Sequence, residues 1–224
     1  LKTIESLAAQ DNCIIECIVV EQDETPTIKS ALPKWVNYIF TPINKPSMPY
    51  SRSWAFNEGA KYAKSDCLIF HDNDLLVPTC YAKDTLTLFN RGFDFINLKR
   101  FIFYLSQSAT SDFINHSRLN EMLEIESIMQ NAEGGGSIGA SKKAFNNIGG
   151  FDERFIGWGG EDNEFWDRAK STNTWTYGYL PIIHLWHGPQ KEKVNFENSQ
   201  TMTLFRELTQ QPVSDRIKWL KQNQ

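Results

Sequence analysis

Several features that mark common classes of protein are missing from this sequence of 224 residues. It has no apolar run near the roughly 18 residues that a membrane-crossing helix needs, and no signal peptide is visible. It also has no basic excess to neutralise nucleic-acid phosphates, because 23 lysines and arginines face 27 acidic residues, a net charge of −4. These absences predict a protein without a transmembrane segment, cytoplasmic or peripheral to a membrane, that does not bind nucleic acid.

The sequence is also poor in cysteine, and its four cysteines lack the paired spacing of a metal site. Cys13 and Cys17 are expected on one strand, too far apart for a disulfide, so we expect all four to be reduced core thiols in a reducing compartment. The phosphate-binding pattern GxxxxGK(S/T) is absent. In contrast, aromatic residues reach 13%, with seven tryptophans, and these suit a thick core or the faces of sugars.

Strand and helix patterns alternate over the first part of the chain, which is typical of an α/β fold with a mainly parallel central sheet and helices on both faces. Buried strands are predicted at 13–20 and 67–70, and a short strand at 38–40. Helices are predicted at 1–10, from a cap at Ser51 to residue 64, and at 79–90. A loop is expected at 44–49, which contains two prolines.

The rest of the chain has a less regular pattern. Helices are predicted at 112–130, 142–147, 161–169 and from residue 196 onward, with a break near Pro212. Strands are predicted at 93–98, 101–105, 175–180 and 182–186. Because no internal repeat and no low-complexity linker is present, the sequence predicts a single domain over residues 1–224.

Asp72 and Asp74 follow directly on the apolar run at 67–70. Ligands of open α/β sheets bind at the carboxyl ends of strands. Two carboxylates there suit Mg²⁺ or Mn²⁺, and such an ion can bridge to a diphosphate. The alternative is an acidic turn that caps the next helix. Apolar residues on both sides favour the metal site, since an unpaired charge between buried segments is unfavourable.

His184 and His187, two of the four histidines, lie three residues apart at the end of a predicted strand. Mn²⁺ accepts imidazole as a ligand. On spacing alone, one hydrogen-bonded core histidine and one surface histidine is the better interpretation. Taken with the aspartate pair, a mixed carboxylate–imidazole metal site becomes the favoured one.

Trp158 lies between glycines in the segment GWGGED at 157–162. Glycine lets the backbone approach a ligand closely, and the indole offers an apolar face to a sugar ring. Glu161 and Asp162 are predicted to open a helix, whose dipole favours their ionised form. An ionised carboxylate near an acceptor hydroxyl can act as a general base. A glycine turn with an acidic helix cap would explain the acids but not the tryptophan.

Four weaker candidates complete the set. Glu21 ends the first predicted strand and could contact a base or ribose, although a solvated turn explains it equally well. Arg52 could bind a phosphate, although most arginines lie at the surface. Gly135 and Gly136 could allow the backbone to approach a donor sugar, or could simply form a turn.

Three ordered segments resemble the GT-A glycosyltransferases, in particular their β-1,4-galactosyltransferase and chondroitin-polymerase-like branch. They read SRSWAFNEGAKYAKSDCLIFHDNDLLVP at 51–78, GGGSIGASKKAFNNIGGFDERFIGWGGEDNEFWDR at 134–168 and HLWH at 184–187. The resemblance extends over residues 1–198, and the ordered combination is far more specific than any one piece.

The resemblance implies roles for individual residues. Asp72 and Asp74 match the DxD motif of the family, with Asp74 as a direct Mn²⁺ ligand. His187 matches its metal-binding histidine, and His184 falls where the galactosyltransferases have a methionine ligand. Asp162 matches the proposed catalytic base. Together with the candidates above, this gives three groups of site residues. The substrate group is Trp158, Gly160 and Glu161, and the metal group is Asp72, Asp74, His184 and His187. The donor group is Glu21, Arg52, Asp72, Gly135 and Gly136.

The resemblance also implies a GT-A fold and an activity. The expected reaction moves a hexosyl unit of the galactose, GalNAc or GlcNAc type from a UDP-sugar to a hydroxyl of a carbohydrate acceptor. It would need Mn²⁺ or Mg²⁺ and invert the anomeric carbon, in polysaccharide biosynthesis. A retaining glycosyltransferase, a non-catalytic carbohydrate-binding module and a nucleotidyltransferase are the alternatives. In this family a first strand should precede Leu1, so we expect one upstream.

Overall fold

The computed structural model describes residues 1–43, 50–116, 124–188 and 199–223. Within these ranges the helices are α1 (Lys2–Ala8), α2 (Arg52–Tyr62), α3 (Tyr81–Asn90), α4 (Gln107–His116), α5 (Lys142–Asn147), α6 (Glu161–Ala169), α7 (Gln200–Thr209) and α8 (Val213–Asn223). The strands are β1 (Ile18–Asp23), β2 (Asn37–Pro42), β3 (Cys67–His71), β4 (Leu75–Leu76), β5 (Phe95–Ile96), β6 (Lys99–Leu105), β7 (Ile125–Gln130), β8 (Ser137–Ser141), β9 (Thr174–Trp175) and β10 (Leu180–His184).

The strands form three sheets with mixed pairing. β1 and β2 are parallel, a second sheet has the order β4-β10-β6-β7, and a third has the order β3-β8-β5-β9. In the two larger sheets only β10–β6 and β5–β9 are parallel. The α/β class is therefore as predicted, whereas the mainly parallel sheet is not. The alternation of elements along the sequence gives their order, but it does not say which strands become neighbours.

A cluster of phenylalanine rings joins β3 to α6. Phe70 of β3 contacts Phe145 and Phe151, with ring centroids 4.7 and 5.2 Å apart. Phe151 in turn stacks on Phe165 of α6 at 3.9 Å, and Phe165 has no exposed surface. Because this contact fixes α6 against β3, the end of the strand and the start of the helix lie together, which is where the candidate site forms.

Several local predictions need correction. The helix predicted at 112–130 is wrong in its second half, where β7 pairs antiparallel with β6 from Phe101↔Gln130 onward. Pairing with a neighbouring strand overrides the helical tendency of glutamate, methionine and glutamine. The strand predicted at 13–20 begins only at Ile18, and Ile14 is fully exposed. The strand predicted at 175–180 shrinks to β9, and the loop at 44–49 lies outside the described residues.

The four cysteines are free, but only Cys17 is buried. Cys13, Cys67 and Cys80 keep part of their surface exposed, so the prediction of four core thiols holds for one of them. Cys13 and Cys17 precede β1 rather than lying on it. In the described part of the chain, none of the helices combines the length and apolarity that crossing a bilayer needs.

Gly178 provides a test of the packing between β6 and the segment before β10. A Cβ added at Gly178 would overlap the carbonyl oxygen of Lys99 and lie 2.5 Å from its carbonyl carbon. Because backbone rather than a flexible side chain is in the way, we expect Gly178→Ala to lower the free energy of unfolding by about 1–3 kcal/mol. Urea denaturation measures this change.

Gly188→Ala is the matched control, since among the described residues no atom lies within 4 Å of its Cβ position. We expect it to stay within about 0.5 kcal/mol of the wild type. Equal stability of the two variants would contradict the packing at Gly178.

Candidate active site

Two elements bring a carboxylate and two imidazoles together. The chain turns after β3 through Asp72 and Asp74 into β4, and β4 pairs antiparallel with β10 so that His184 lies opposite Leu75. Asp74 Oδ2 is consequently 3.6 Å from His184 Nε2 and 3.4 Å from His187 Nε2. One ligand atom from each of the three side chains lies within 4.8 Å of the others, close enough to share one metal ion.

The surroundings of this cluster fit a divalent cation. Asp74 Oδ1 is buried and has no hydrogen-bond partner among the described residues, so this oxygen is available to a ligand. His184 stacks on Tyr104 with ring centroids 4.4 Å apart, which fixes its imidazole. Burial lowers the pKa of His184, against the opposing effect of Asp74, and a neutral imidazole is the form that binds metal.

Asp72 is not part of this cluster of three ligand atoms and pairs with Arg52. Arg52, the first residue of α2, donates from Nε to Asp72 Oδ1 at 2.7 Å and places Nη2 2.5 Å from the same oxygen. Ser51 caps α2 by accepting from the Trp54 amide, and the guanidinium lies over the Phe56 ring at 4.7 Å. The assignment of Asp72 to the metal stays a prediction.

Arg52 also joins the two acids that open α6. Its Nη1 donates to Asp162 Oδ1 in a short contact and lies 3.3 Å from Glu161 Oε1. The other Glu161 oxygen, Oε2, is buried without a hydrogen-bond partner in the described part of the chain. A Cβ at Gly135 would lie 3.0 Å from Asp162 Oδ2, so glycine at this position leaves room for the carboxylate.

Burial dominates the electrostatics of these acids. It raises the pKa of Asp162, while Arg52 acts in the opposite direction. It raises the pKa of Glu161 to about 7, with the charge of Asp162 adding to the effect and Arg52 opposing it. The expectation that the helix N-terminus keeps both acids ionised therefore needs correction, because the group that favours their ionised form here is mainly Arg52.

Lys99 is a member of the site that the sequence reasoning missed. It starts β6, is almost fully buried, and donates from Nζ to the Ser137 carbonyl at 2.5 Å. Burial lowers its pKa to about 7, against the charges of Asp162 and Asp72. Ser137 is held from its other side, since its hydroxyl lies 2.8 Å from both His71 Nδ1 and the Tyr81 hydroxyl. Lys99 and Arg100 are the only charged residues in the otherwise mostly apolar segment 95–105, and this pattern could have marked Lys99 as a candidate.

The glycine segment before α6 has a left-handed backbone at Gly157, Gly159 and Gly160. Gly160 precedes the helix at φ 89°, and a Cβ there would lie 3.0 Å from the Phe155 ring. The Trp158 carbonyl accepts from Thr201 Oγ1 of α7 at 2.9 Å, and the Trp158 side chain is half-buried. The assignment of Trp158 and Gly160 to a substrate stays a prediction.

Glu21 lies in β1 with its carboxylate bound by the chain itself. It accepts from the Thr27 amide at 2.9 Å, from the Thr27 hydroxyl at 2.5 Å and from the Tyr38 hydroxyl. Although burial acts to raise it, these hydrogen bonds lower the pKa of Glu21 to about 2. The side chain thus has a structural role, and its assignment to the donor stays a prediction.

Comparison with known proteins gives two family matches. A model described as glycosyl transferase family 2 matches residues 1–147, about two thirds of the chain, and one described as the N-terminal domain of galactosyltransferase matches residues 122–181. A curated relative is beta-1,4-galactosyltransferase 5 from Danio rerio, 28% identical over 126 residues. That alignment covers 54% of this chain but 27% of the relative, so this chain spans about a quarter of its length.

Solved structures share the fold at low sequence identity. The mannosyltransferase PcManGT from Pyrobaculum calidifontis, in complex with GDP-Man and Mn²⁺, superposes with a TM-score of 0.61 at 13% identity, over 94% of this chain and 60% of that one. TarS from S. aureus, in complex with UDP-GlcNAc, superposes with a TM-score of 0.52 at 16% identity, over 86% and 56%.

The bonds to Glu21 predict a dependence of stability on pH. Its folded pKa of about 2 is below the ordinary 4.5, so the ionised carboxylate stabilises the fold fully above pH 4.5, and this stabilisation is lost as the pH falls towards 2. We expect Glu21→Gln to be less stable at neutral pH and to lose less stability on acidification. Urea unfolding at neutral and acidic pH measures both, with the exposed Glu24→Gln as control. Parallel pH curves for Glu21→Gln and the wild type would contradict this role.

The carboxylate–imidazole cluster predicts a metal site that uses both histidines. We expect His184→Phe, which keeps a ring against Tyr104, and His187→Phe each to weaken Mn²⁺ binding by about tenfold or more, because each removes one ligand nitrogen. Titration calorimetry with MnCl₂ and UDP measures the affinity. His116→Ala, exposed on α4, should leave it unchanged. Wild-type affinity in His184→Phe would mean that His184 is not a ligand.

Proposed function

The chain belongs to glycosyl transferase family 2, and on that basis we propose that it transfers a hexosyl unit from a UDP-sugar to a hydroxyl group of a carbohydrate acceptor, with inversion. Its fold is GT-A, as the sequence resemblance implied. One observation carries the proposal. Arg52 contacts the carboxylates of Asp72, Glu161 and Asp162, and the cluster of Asp74, His184 and His187 lies beside them. That arrangement offers a base beside a cation site, where the end of β3 meets β4, β10 and the start of α6.

The donor in this proposal is a UDP-hexose of the galactose, GalNAc or GlcNAc type. The name of the zebrafish relative supports a galactose-type sugar, and the UDP-GlcNAc complex of TarS supports a UDP leaving group on this fold. Gly135 and Gly136 lie against this site, since the Gly136 carbonyl accepts from the Asp72 amide at 2.8 Å. We assign these two glycines, with Arg52, Asp72 and Glu21, to the donor side.

The metal in this proposal is Mn²⁺ or Mg²⁺, held by Asp74, His184 and His187, with Asp72 as a further candidate. The Mn²⁺ complex of PcManGT supports a divalent ion on this fold, and the mixed oxygen and imidazole donor set favours Mn²⁺. When bound, the ion would supply positive charge to the diphosphate leaving group. The protein contributes its fixed ligand geometry, through the β4–β10 pairing and the Tyr104 stack.

Asp162 is the proposed general base. The acceptor hydroxyl oxygen forms a bond to the anomeric carbon as the bond from that carbon to the UDP oxygen breaks. The hydroxyl proton passes to Asp162, and the bonding electrons leave with UDP. A carboxylate whose pKa burial has raised is a better proton acceptor than an exposed one, provided that it remains ionised. The pairing with Arg52 favours that ionised form.

The acceptor side of the proposed site is formed by the segment before α6. Trp158 would offer its half-buried ring to a sugar face, and Glu161 and Gly160 would contact hydroxyl groups. The unpaired Glu161 Oε2 supports a further hydrogen bond at this position. Lys99 adds a buried amine to the site, and its contact with the Ser137 carbonyl fixes the strand that follows Gly135 and Gly136.

The base assignment predicts the behaviour of Asp162→Asn. The amide keeps the shape and most contacts but cannot accept a proton, so we expect kcat to fall by about 10²–10⁴-fold. Binding of UDP and Mn²⁺ should stay within about threefold of the wild type, because the diphosphate is held elsewhere. Release of UDP, measured with each of the candidate UDP-sugars and a set of sugar acceptors, gives kcat.

Glu161→Gln is the matched control at the neighbouring position. We expect a rise in acceptor KM rather than a loss of the chemical step. If Glu161→Gln abolishes turnover while Asp162→Asn retains it, the base has been assigned to the wrong residue. If both variants keep turnover, the inverting mechanism is wrong and a retaining reaction is favoured.

A further inference from the structure

A second ion cluster forms around Glu164 and Arg168 of α6. Arg168 forms a forked pair with Glu164, through Nε at 2.8 Å and Nη2 at 2.6 Å. Its Nη1 donates to the carbonyls of Ile148 and Gly150 at 2.6 and 2.7 Å. Glu164 and Arg168 have no exposed surface, so this pair is fully enclosed.

Arg216 of α8 completes the cluster from the C-terminal part of the chain. Its Nη1 donates to Glu164 Oε1 at 3.2 Å, and its Nη2 to Asp167 Oδ2 at 2.5 Å. Only 2% of Arg216 is exposed, and its Nε has no hydrogen-bond partner within the described ranges. Leu220, one turn later, is buried against Gly149, where an added Cβ would lie 2.6 Å from Leu220 Cβ.

These contacts reach the first turn of α6, where the proposed base lies. Glu164 is two residues after Asp162, and its amide donates to the Gly160 carbonyl at 3.0 Å. One backbone hydrogen bond therefore links Glu164, which the cluster holds, to the turn that carries Glu161 and Asp162. α8 lies outside the two family matches, which end at residues 147 and 181.

Stability alone gives a weak reason for such a cluster. Buried ion pairs often contribute little net stability relative to apolar residues of the same volume, because both charges lose their hydration. Here Glu164 already has a full partner in Arg168, and Arg216 brings into the interior an Nε that has no hydrogen-bond partner among the described residues. What Arg216 adds is a fixed position and orientation of α6 relative to α8.

We propose that Arg216 is a positioning residue for the proposed glycosyl transfer, which holds the first turn of α6 so that Asp162 faces the acceptor. This inference rests on the proposed function. Its guanidinium acts through Glu164 and Asp167 and touches no substrate. Lysine cannot replace it fully, since an ammonium is a point charge and lacks the planar fork that pairs with two carboxylates.

The test compares Arg216→Met and Arg216→Lys with Lys218→Met, a matched loss of charge at an exposed position of α8. Arg216→Met should fold, because Glu164 keeps Arg168 and the unpaired Nε is removed. Amide hydrogen exchange is followed at 161–166 in α6 and at 67–71 in β3. Release of UDP from UDP-galactose, UDP-GalNAc and UDP-GlcNAc, with Mn²⁺ and sugar acceptors, gives kcat and donor KM.

We expect exchange at 161–166 to become about tenfold faster in Arg216→Met, with β3 unchanged. The same variant should lose about tenfold or more in kcat, with donor KM within about twofold, because misplacing a catalytic group slows the chemical step. Arg216→Lys should lose less on both measures, and Lys218→Met should match the wild type.

Unchanged exchange at 161–166 in Arg216→Met would overturn the proposal, because it would mean that Arg216 does not order the start of α6. An equal acceleration in β3 would also overturn it, because it would mean that the variant destabilises the whole fold. Normal kcat despite faster local exchange would overturn it as well. If the wild type turns over none of the three UDP-sugars, the proposed function fails with these donors, and the exchange data alone then decide whether Arg216 orders the first turn of α6.

Discussion

The guanidinium of Arg52 is the group on which the candidate site depends. It contacts carboxylates from the end of β3 and the start of α6, which are Asp72, Glu161 and Asp162. Burial raises the pKa of all three acids, and Arg52 counters that shift in each case. Without this cation, like charges in a partly enclosed space would repel, and at least one acid would become neutral.

Arg52 can do this only because the fold holds it from several sides. Ser51 caps its helix, and the Ser51 amide donates to Gln22 Oε1 at 2.8 Å, which ties α2 to β1. The phenylalanine cluster around Phe70 and Phe165 then brings β3 and α6 to the same end of the sheets. The site thus combines α2, the end of β3 and the start of α6. The positive charge from α2 is balanced by the carboxylates from the other two. The buried Lys99 lies near the same acids, and the charges of Asp162 and Asp72 oppose the effect of burial, which lowers its pKa to about 7.

The sequence was a good guide where a function depends on neighbouring residues. The acids after an apolar strand, the histidine pair at a strand end and the helix that begins at Glu161 were all predicted with the right local structure. It was a poor guide to contacts between distant residues. Arg52 meets Asp162 across 110 positions, and no local pattern marks that pairing. β7 was predicted as helix for the same reason, because its strand form depends on β6.

The geometry of α6 links the two charged clusters of the molecule. One end of this helix presents Glu161 and Asp162 to Arg52, and the next turn presents Glu164 to Arg168 and Arg216. A helix of nine residues is too short to be stable by itself, so its position depends on its contacts with the rest of the protein. Each cluster is directional, since a guanidinium pairs best with carboxylates in its own plane. Hydrophobic contact, as in the stack of Phe151 on Phe165, turns the apolar face of α6 towards the core. The ion pairs of Glu161, Asp162 and Glu164 add to that constraint, so the orientation of Asp162 depends on them as well as on the core.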